Sequence, residues 1–301
     1  MPTLHYRVVD VFTDRPFAGN PLAVVLDADD LDQADLQKIA RQFNLAETAF
    51  PMLPSQDDRS AGADYRLRVF TPVAELPFAG HPSIGAAWVL ASLGRIEPGT
   101  VRQACGGDVL PLVVSAAGGP VELTGGLPTI GREVEPVPVL QAASLPPGAP
   151  LSSQVARVAG SGIDFVYLQL AEDRDVVRAA PDTGAVRQLG SKFGANGLDL
   201  FFWDAESRTA HCRVLTADVH SGESPATGSA ALGLGAYLVA NGLLAPDGES
   251  HYTVRQGAEI GRPSRLECSV VARQGEAVEC RVRGSVVAVA TGEIRRPPVR
   301  R

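Results

Sequence analysis

The sequence predicts an α+β protein built from two similar lobes. Three observations carry that prediction. Helical patterns are few, and strand patterns precede and follow each of them. A weak internal repeat relates the first half of the chain to the second. The two most apolar helical segments each follow the same kind of turn, Pro77-Phe78-Ala79-Gly80 and Pro225-Ala226-Thr227-Gly228.

In chain order, residues 6–12 alternate, with Val9 and Val11 against Arg7 and Asp10, and read as a strand. The turn Asp14-Arg15-Pro16 closes it, and residues 21–26, rich in Leu and Val, form a second strand. Over 29–43, Leu31, Leu36, Ile39, Ala40 and Phe43 fall at helical spacing, and an Asp at the start supplies a cap. Residues 46–52 read as a strand, 55–62 as a polar loop and 65–71 as a strand. After Gly80 an apolar helix is expected over 84–93, stopped by Gly94, with strands around 109–115. Between 127 and 150, Pro128, Pro136, Pro138, Pro146, Pro147 and Pro150 crowd together, which favours a boundary between lobes over a plain surface connection. From Pro225 to Pro246 there is no charge, but Gly228, Gly233, Gly235 and Asn241 interrupt the apolar run. A helix enclosed by the protein explains this better than a membrane span.

Composition narrows the function classes. The chain has 301 residues, 45% hydrophobic and 20% charged, enough to bury a core and too apolar for disorder. Its 27 Lys and Arg against 34 Asp and Glu give a net charge of -7, which argues against a nucleic-acid binder working by phosphate neutralisation. Cys105, Cys212, Cys268 and Cys280 have neither Cys-x-x-Cys spacing nor a His partner, so no metal is expected. Four cysteines are too few for a disulfide scaffold. The first ten residues read as a strand and not as a basic, apolar leader, so the expected location is the cytoplasm, with no membrane partner.

The repeat is the most informative feature. Arg68-Val69-Phe70-Thr71, Glu75, Pro77, Gly80, Gly85 and Leu90 match Arg213-Val214-Leu215-Thr216, Glu223, Pro225, Gly228, Gly233 and Leu238. Upstream, Phe43-Asn44-Leu45-Ala46-Glu47 loosely parallels Phe193-Gly194-Ala195-Asn196-Gly197. Two such lobes imply a cleft, a usual place for a ligand. Each Pro-x-x-Gly turn presents a helix N-terminus whose free N–H groups and positive dipole suit a carboxylate. The competing reading is that the glycines only let a central helix pack closely.

Three side chains suit proton transfer. Glu47 is the only charge between Arg41 and Asp57, and apolar surroundings raise a carboxyl pKa toward neutrality. On its residues alone it reads equally as an outward-facing strand glutamate. His81 follows Gly80 at a helix start, where the dipole disfavours the cation. Ser229 is its counterpart, and the matched Glu75 and Glu223 either act in catalysis or stabilise the loops. No nucleophile elbow, Walker loop or dinucleotide fingerprint occurs, so no cofactor is expected.

These segments resemble the PhzF family, the phenazine biosynthesis-like isomerases related to diaminopimelate epimerase. The matching stretches are Phe17-Ala18-Gly19-Asn20-Pro21-Leu22-Ala23-Val24-Val25, Asn44-Leu45-Ala46-Glu47-Thr48-Ala49-Phe50, Glu75-Leu76-Pro77-Phe78-Ala79-Gly80-His81-Pro82 and Ser224-Pro225-Ala226-Thr227-Gly228-Ser229-Ala230. Gln256-Gly257, Gly261-Arg262-Pro263-Ser264 and Gly284-Ser285-Val286-Val287 extend the likeness toward the end. The resemblance implies a diaminopimelate epimerase-like fold of two pseudo-symmetric lobes, each a curled, mostly antiparallel sheet around a central helix. It places lobe one at 1–118, completed by 288–301, and lobe two at 119–287, with the active-site cleft between them. It implies a homodimer and a cofactor-independent isomerisation that moves a proton between carbons of a small carboxylate, as on trans-2,3-dihydro-3-hydroxyanthranilate.

By the same resemblance Glu47 is the general acid/base and His81 orients or polarises the substrate. Asn20, Gly80, Thr227, Gly228 and Ser229 bind it, and Glu223 and Ser224 are auxiliary. One departure stands out: the family's Asp-Pro-Ala-Thr-Gly-Ser begins here with Ser224, leaving Glu223 and His220 as neighbours in sequence. An amino-acid epimerase with non-thiol bases and a non-catalytic binder of small acids are the alternatives. None of the four cysteines lies at either helix start, which argues against a two-thiol epimerase.

Overall fold

The computed structural model describes residues 2–116, 118–153, 155–217 and 222–298. The chain divides into two compact units, 1–123 with 283–301 and 124–282, called lobe one and lobe two below.

Lobe one begins with β1 (Thr3–Val11) and β2 (Asn20–Val25), then α1 (Gln33–Phe43), β3 (Glu47–Met52), α2 (Gln56–Ser60), β4 (Tyr65–Phe70) and β5 (Glu75–Leu76). The central helix α3 (Gly80–Ser92) follows, then β6 (Gly99–Cys105), β7 (Asp108–Val114) and β8 (Val121–Thr124). The chain's last strand, Val286–Arg295, returns to pair antiparallel with β1. From β1 the order runs antiparallel to β2, parallel to β3, antiparallel to β4, parallel to β6 and antiparallel to β7, with β5 beside β4. The sheet curls around α3, which packs on β1, β2, β3, β4, β7 and the last strand. Because strand side chains alternate, Leu22 faces α3 while Val25 joins Leu36, Ile39 and Ala40 of α1 on the other face.

Lobe two repeats this plan with β9 (Pro128–Val134), α4 (Pro136–Ala142), β10 (Ala156–Ser161), β11 (Asp164–Gln169), α5 (Asp173–Arg178), α6 (Thr183–Phe193), β12 (Leu198–Asp204), β13 (Thr209–Leu215) and β14 (Glu223–Ser224). Its central helix is α7 (Gly228–Ala240), followed by β15 (Gly248–Gln256), β16 (Ser264–Arg273) and β17 (Glu276–Gly284). From β10 the pairing again runs antiparallel, parallel, antiparallel and parallel through β11, β12, β13 and β15, then antiparallel to β16. The internal repeat is therefore a repeat of sheet topology. Both central helices are buried along their length, and each fully buried Ile, Val or Leu contributes about 1.5–3 kcal/mol. Glycines set how closely the helices lie on the strands. A Cβ on Gly85 would sit 2.5 Å from Leu22, and one on Gly233 would sit 2.4 Å from the Tyr167 hydroxyl.

Four sequence expectations change in detail. The first helix starts at Gln33 because Asp32 is the cap, accepting the Asp35 N–H at 2.8 Å, while Asp29 instead accepts the Leu53 N–H at 2.6 Å. The central helix of lobe one starts at Gly80, four residues before the apolar run, since Pro82 is tolerated in a first turn whose N–H groups have no helical partner. The polar loop at 55–62 holds α2, closed by a capping box of Ser55 and Asp58. The Pro-rich stretch is not a bare linker. It lies inside lobe two and forms β9 and α4, with Pro136 starting the helix where a missing N–H costs nothing. The uncharged segment after Pro225 is the buried helix α7, and no helix among the described residues is long and apolar enough to cross a membrane.

Candidate active site

Lobe one brings Asn20, Glu47 and His81 together. Helix α1 ends on Asn44 in the left-handed conformation (φ 53°), its N–H bonded to the Ala40 carbonyl. That reversal delivers the chain to β3, where Glu47 is the first residue and lies opposite Leu22 of β2. Asn20 opens β2, and His81 is the second residue of α3. The Asn20 side-chain amide reaches His81 Nδ1 at 3.3 Å, and His81 Nε2 lies 3.4 Å from Glu47 Oε2. An amide nitrogen only donates, so Nδ1 accepts and the ring proton of a neutral His81 resides on Nε2, facing Glu47.

Burial controls both titrations. It pushes the Glu47 carboxyl up to about 7 and the His81 imidazole down to about 3. The cause at His81 is loss of hydration on burial. At neutral pH Glu47 is therefore divided between acid and base, and His81 is a neutral donor. The Glu47 side chain remains 17% exposed, so a small molecule can reach it. Glu47 Oε2 and His81 Nε2 are buried and lack the geometry of a hydrogen bond to each other or to any other described residue. Buried polar atoms without partners are costly, and such pairs mark places built for a ligand.

The turn carrying His81 is held from behind. Gln103 on β6 accepts from the Tyr65 hydroxyl at 2.8 Å and donates to Ser83 Oγ at 2.9 Å, and Ser83 Oγ donates to the Ala79 carbonyl at 3.0 Å. Gly106 (φ 63°) lies so close that a Cβ would stand 2.2 Å from the Pro77 carbonyl oxygen. Lobe two uses the same device, since a Cβ on Gly257 (φ 79°) would stand 2.4 Å from the Pro225 carbonyl. There Gln256 donates to the Ser224 carbonyl at 2.7 Å and to Thr227 Oγ1 at 3.1 Å, and accepts the Thr227 N–H. Neither α3 nor α7 has a side-chain N-cap bond, so both keep donors for an anion. The sequence argument missed Gln103, Ser83 and Gly106; the Gly106-Gly107 pair after a strand was the available signal.

Gly80 begins α3, while Thr227 is the N-cap of α7 and Gly228 and Ser229 form its first turn. Glu223 is 1% exposed and is bonded through both carboxylate oxygens to Arg213, at 2.6 and 2.5 Å. Glu75 makes the same bidentate pair with Arg68, at 2.7 Å for each oxygen. Both matched glutamates thus tie the loop strand to its neighbour. Ser224 Oγ donates to the Ala226 carbonyl at 3.3 Å, a local turn contact. His220 lies outside the described residues. All four thiols are free and buried, and burial raises each one, Cys105 to about 11 and Cys280 to about 12, so none is a ready thiolate near neutral pH. Among the described residues no group of three or more His, Cys, Asp or Glu is arranged to hold a metal.

Known proteins show the family and the fold. The family described as phenazine biosynthesis-like protein (PhzC-PhzF) matches residues 9–292. An uncharacterized isomerase of Mesorhizobium japonicum is 33% identical over 98% of this chain and 99% of its own. The trans-2,3-dihydro-3-hydroxyanthranilate isomerase of Pseudomonas chlororaphis is 30% identical over 96% of this chain and 99% of its own. Among solved structures, a PhzF family protein of Bacillus anthracis superposes with a TM-score of 0.85 at 24% identity, covering 98% of this chain and 100% of that one. A hydroxyproline epimerase of Agrobacterium vitis shares the fold alone, with a TM-score of 0.66 at 13% identity over 97% of this chain and 92% of that one.

Proposed function

The chain belongs to the phenazine biosynthesis-like (PhzC-PhzF) family and is an isomerase, and we propose that it moves a proton between two carbons of a small carboxylate with Glu47 as the general acid/base. The observation that carries this reading is the Glu47 carboxyl, poised near 7 by burial, beside a neutral His81 whose Nε2–H is fixed by Asn20.

The step balances with one carboxyl group. Ionised Glu47 takes a proton from a substrate carbon, and the electron pair left behind shifts along the adjoining double bond. The protonated Glu47 then returns the proton to the carbon at the far end of that system. No net proton or electron is gained or lost, and a carboxyl poised near the working pH serves both half-steps. His81, held neutral, donates its Nε2–H to the substrate oxygen or nitrogen on which charge builds. The N–H groups at the start of α3, from Gly80, receive the substrate carboxylate, and Gly228 and Ser229 offer a second set of this kind at α7, behind Thr227, whose own N–H is held by Gln256.

A substrate of the class that the Pseudomonas chlororaphis relative is named for, trans-2,3-dihydro-3-hydroxyanthranilate, has the required parts: a carboxylate, an adjoining double-bond system and a carbon-bound proton to move. The test is incubation with that compound and a panel of small carboxylates and amino acids in D2O, with deuterium at carbon read by mass spectrometry. Uptake that Glu47→Gln abolishes supports the assignment. Uptake that survives Glu47→Gln, with the variant folded, overturns it.

A further inference from the structure

The two lobes carry the same ladder of charges on the strand before the catalytic turn, but only one ladder is complete. In lobe two, His211 and Arg213 are two residues apart on β13 and so share a face. In lobe one the corresponding positions on β4 are Arg66 and Arg68. Each upper side chain pairs with a helix carboxylate, His211 Nδ1 with Asp173 at 2.6 Å and Arg66 with Asp58 at 2.7 Å. Each lower arginine pairs through Nε and Nη2 with the matched glutamate, Glu223 or Glu75.

Beyond that point the lobes part. In lobe two, Glu259 adds a third carboxylate. Its Oε1 lies 3.0 Å from His211 Nε2 and its Oε2 lies 4.0 Å from Arg213 Nε. The remaining amino group of Arg213, Nη1, donates to the carbonyls of Val176 and Val177 at 3.2 and 3.1 Å. Glu259 can reach because β15 and β16 are joined by residues 257–263. In lobe one, β6 and β7 are joined by Gly106-Gly107 alone. No residue of so short a turn takes the place of Glu259, and α2 ends without capping Arg68. Nη1 of Arg66 and of Arg68 makes no hydrogen bond to any described residue. Where lobe two is filled by its own glutamate, lobe one has a groove of about 510 Å³ whose lining includes Arg66, Arg68, Glu75, Cys105, Gly106 and Gly107.

We propose that this groove is a binding site for a small carboxylate, held between Arg66 and Arg68 in the place that Glu259 occupies in lobe two. Lobe two sets the precedent, with the Glu259 carboxylate against His211 and Arg213. A carboxylate also suits the paired donors that guanidinium groups present. Neither Glu47 nor His81 lines the groove, so the proposal stands or falls apart from the catalytic assignment.

Arginine Nε–H resonances of ¹⁵N-labelled protein provide the test. Sodium succinate is titrated in, with sodium chloride at matched ionic strength as the control. The expected result is a saturable shift of the Arg66 and Arg68 signals that chloride does not reproduce, with the Arg213 signal unmoved. Arg66→Gln is expected to weaken succinate at least fivefold on the Arg68 signal, while Arg66→Lys, which keeps the charge, stays closer to wild type. Arg66 is 43% exposed, so both variants should fold. A shift that does not saturate, or one with the same midpoint in Arg66→Gln, overturns the proposal.

Discussion

Lobe one and lobe two share a pairing order, a central helix, a glycine pressed against a prolyl carbonyl and a bidentate Arg–Glu pair, yet they differ at the positions of Asn20, Glu47 and His81. The strand registers make the equivalences explicit. Phe70 opposite Thr48 and Leu215 opposite Leu198 place Gly197 where lobe one has Glu47. The parallel pairings on the other side place Ile163 where lobe one has Asn20, and Ser229 stands for His81. The difference teaches that the repeated scaffold supplies turns, helix ends and rigidity, while the chemistry we propose rests on three side chains that the repeat does not share. A lobe that lacks them can still keep donors for an anion at the start of its helix.

The sharpest way to break the comparison is at Glu47. Glu47→Gln should lower kcat by about 10²- to 10⁴-fold with the fold intact, as read by turnover and circular dichroism together. The ion pairs come next. Arg213–Glu223 is almost fully buried, with side chains 5% and 1% exposed. Arg213→Ala should therefore cost about 3–5 kcal/mol in a denaturant titration, because the buried Glu223 carboxylate loses the guanidinium bonded to both of its oxygens.

Linkage gives a third expectation. The native Glu47 carboxyl titrates near 7 and an unfolded glutamate near 4.5, so between those pH values the native state binds more protons and stability falls as pH rises. Glu47→Gln removes that loss and should be more stable than wild type by about 2–3 kcal/mol above pH 7, with the gain vanishing toward pH 4. His81 acts in the other sense. Neutral in the native state, it costs stability as pH falls from 6.5 toward 3 in both proteins. The smallest effect belongs to Arg68–Glu75, whose side chains are 23% and 27% exposed. Arg68→Ala should cost only about 1 kcal/mol. An equal loss at Arg68 and Arg213 would contradict the claim that burial distinguishes the two lobes.

Much of this was legible in the sequence because it is periodic or repeated. The Arg-to-Thr strands, the Glu-x-Pro-x-x-Gly turns and the apolar helices recur with matching residues, and even the loose match of Phe43-Asn44 with Phe193-Gly194 corresponds to two left-handed helix ends, φ 53° and 69°. Glu47 stood out as a lone charge among apolar residues, but its contact with His81 depends on the β2–β3 register and on the start of α3, which no local pattern encodes. The Asn20 amide that sets the His81 tautomer comes from 61 residues away in sequence. Gly106 and Gly257 matter only because a prolyl carbonyl lies against them, a contact between segments 29 and 32 residues apart. The proline-rich stretch misled because proline at a helix start reads like proline in a linker.

The central claim is that the Glu47 carboxyl titrates near neutrality. Carbon-13 labelling of the glutamate side-chain carboxyls, with Glu47→Gln to assign the signal, measures this directly as a shift against pH. The expected midpoint is about 7. A midpoint at the ordinary glutamate value of 4.5 would show a hydrated, fully ionised carboxylate and would contradict the acid/base role assigned to it.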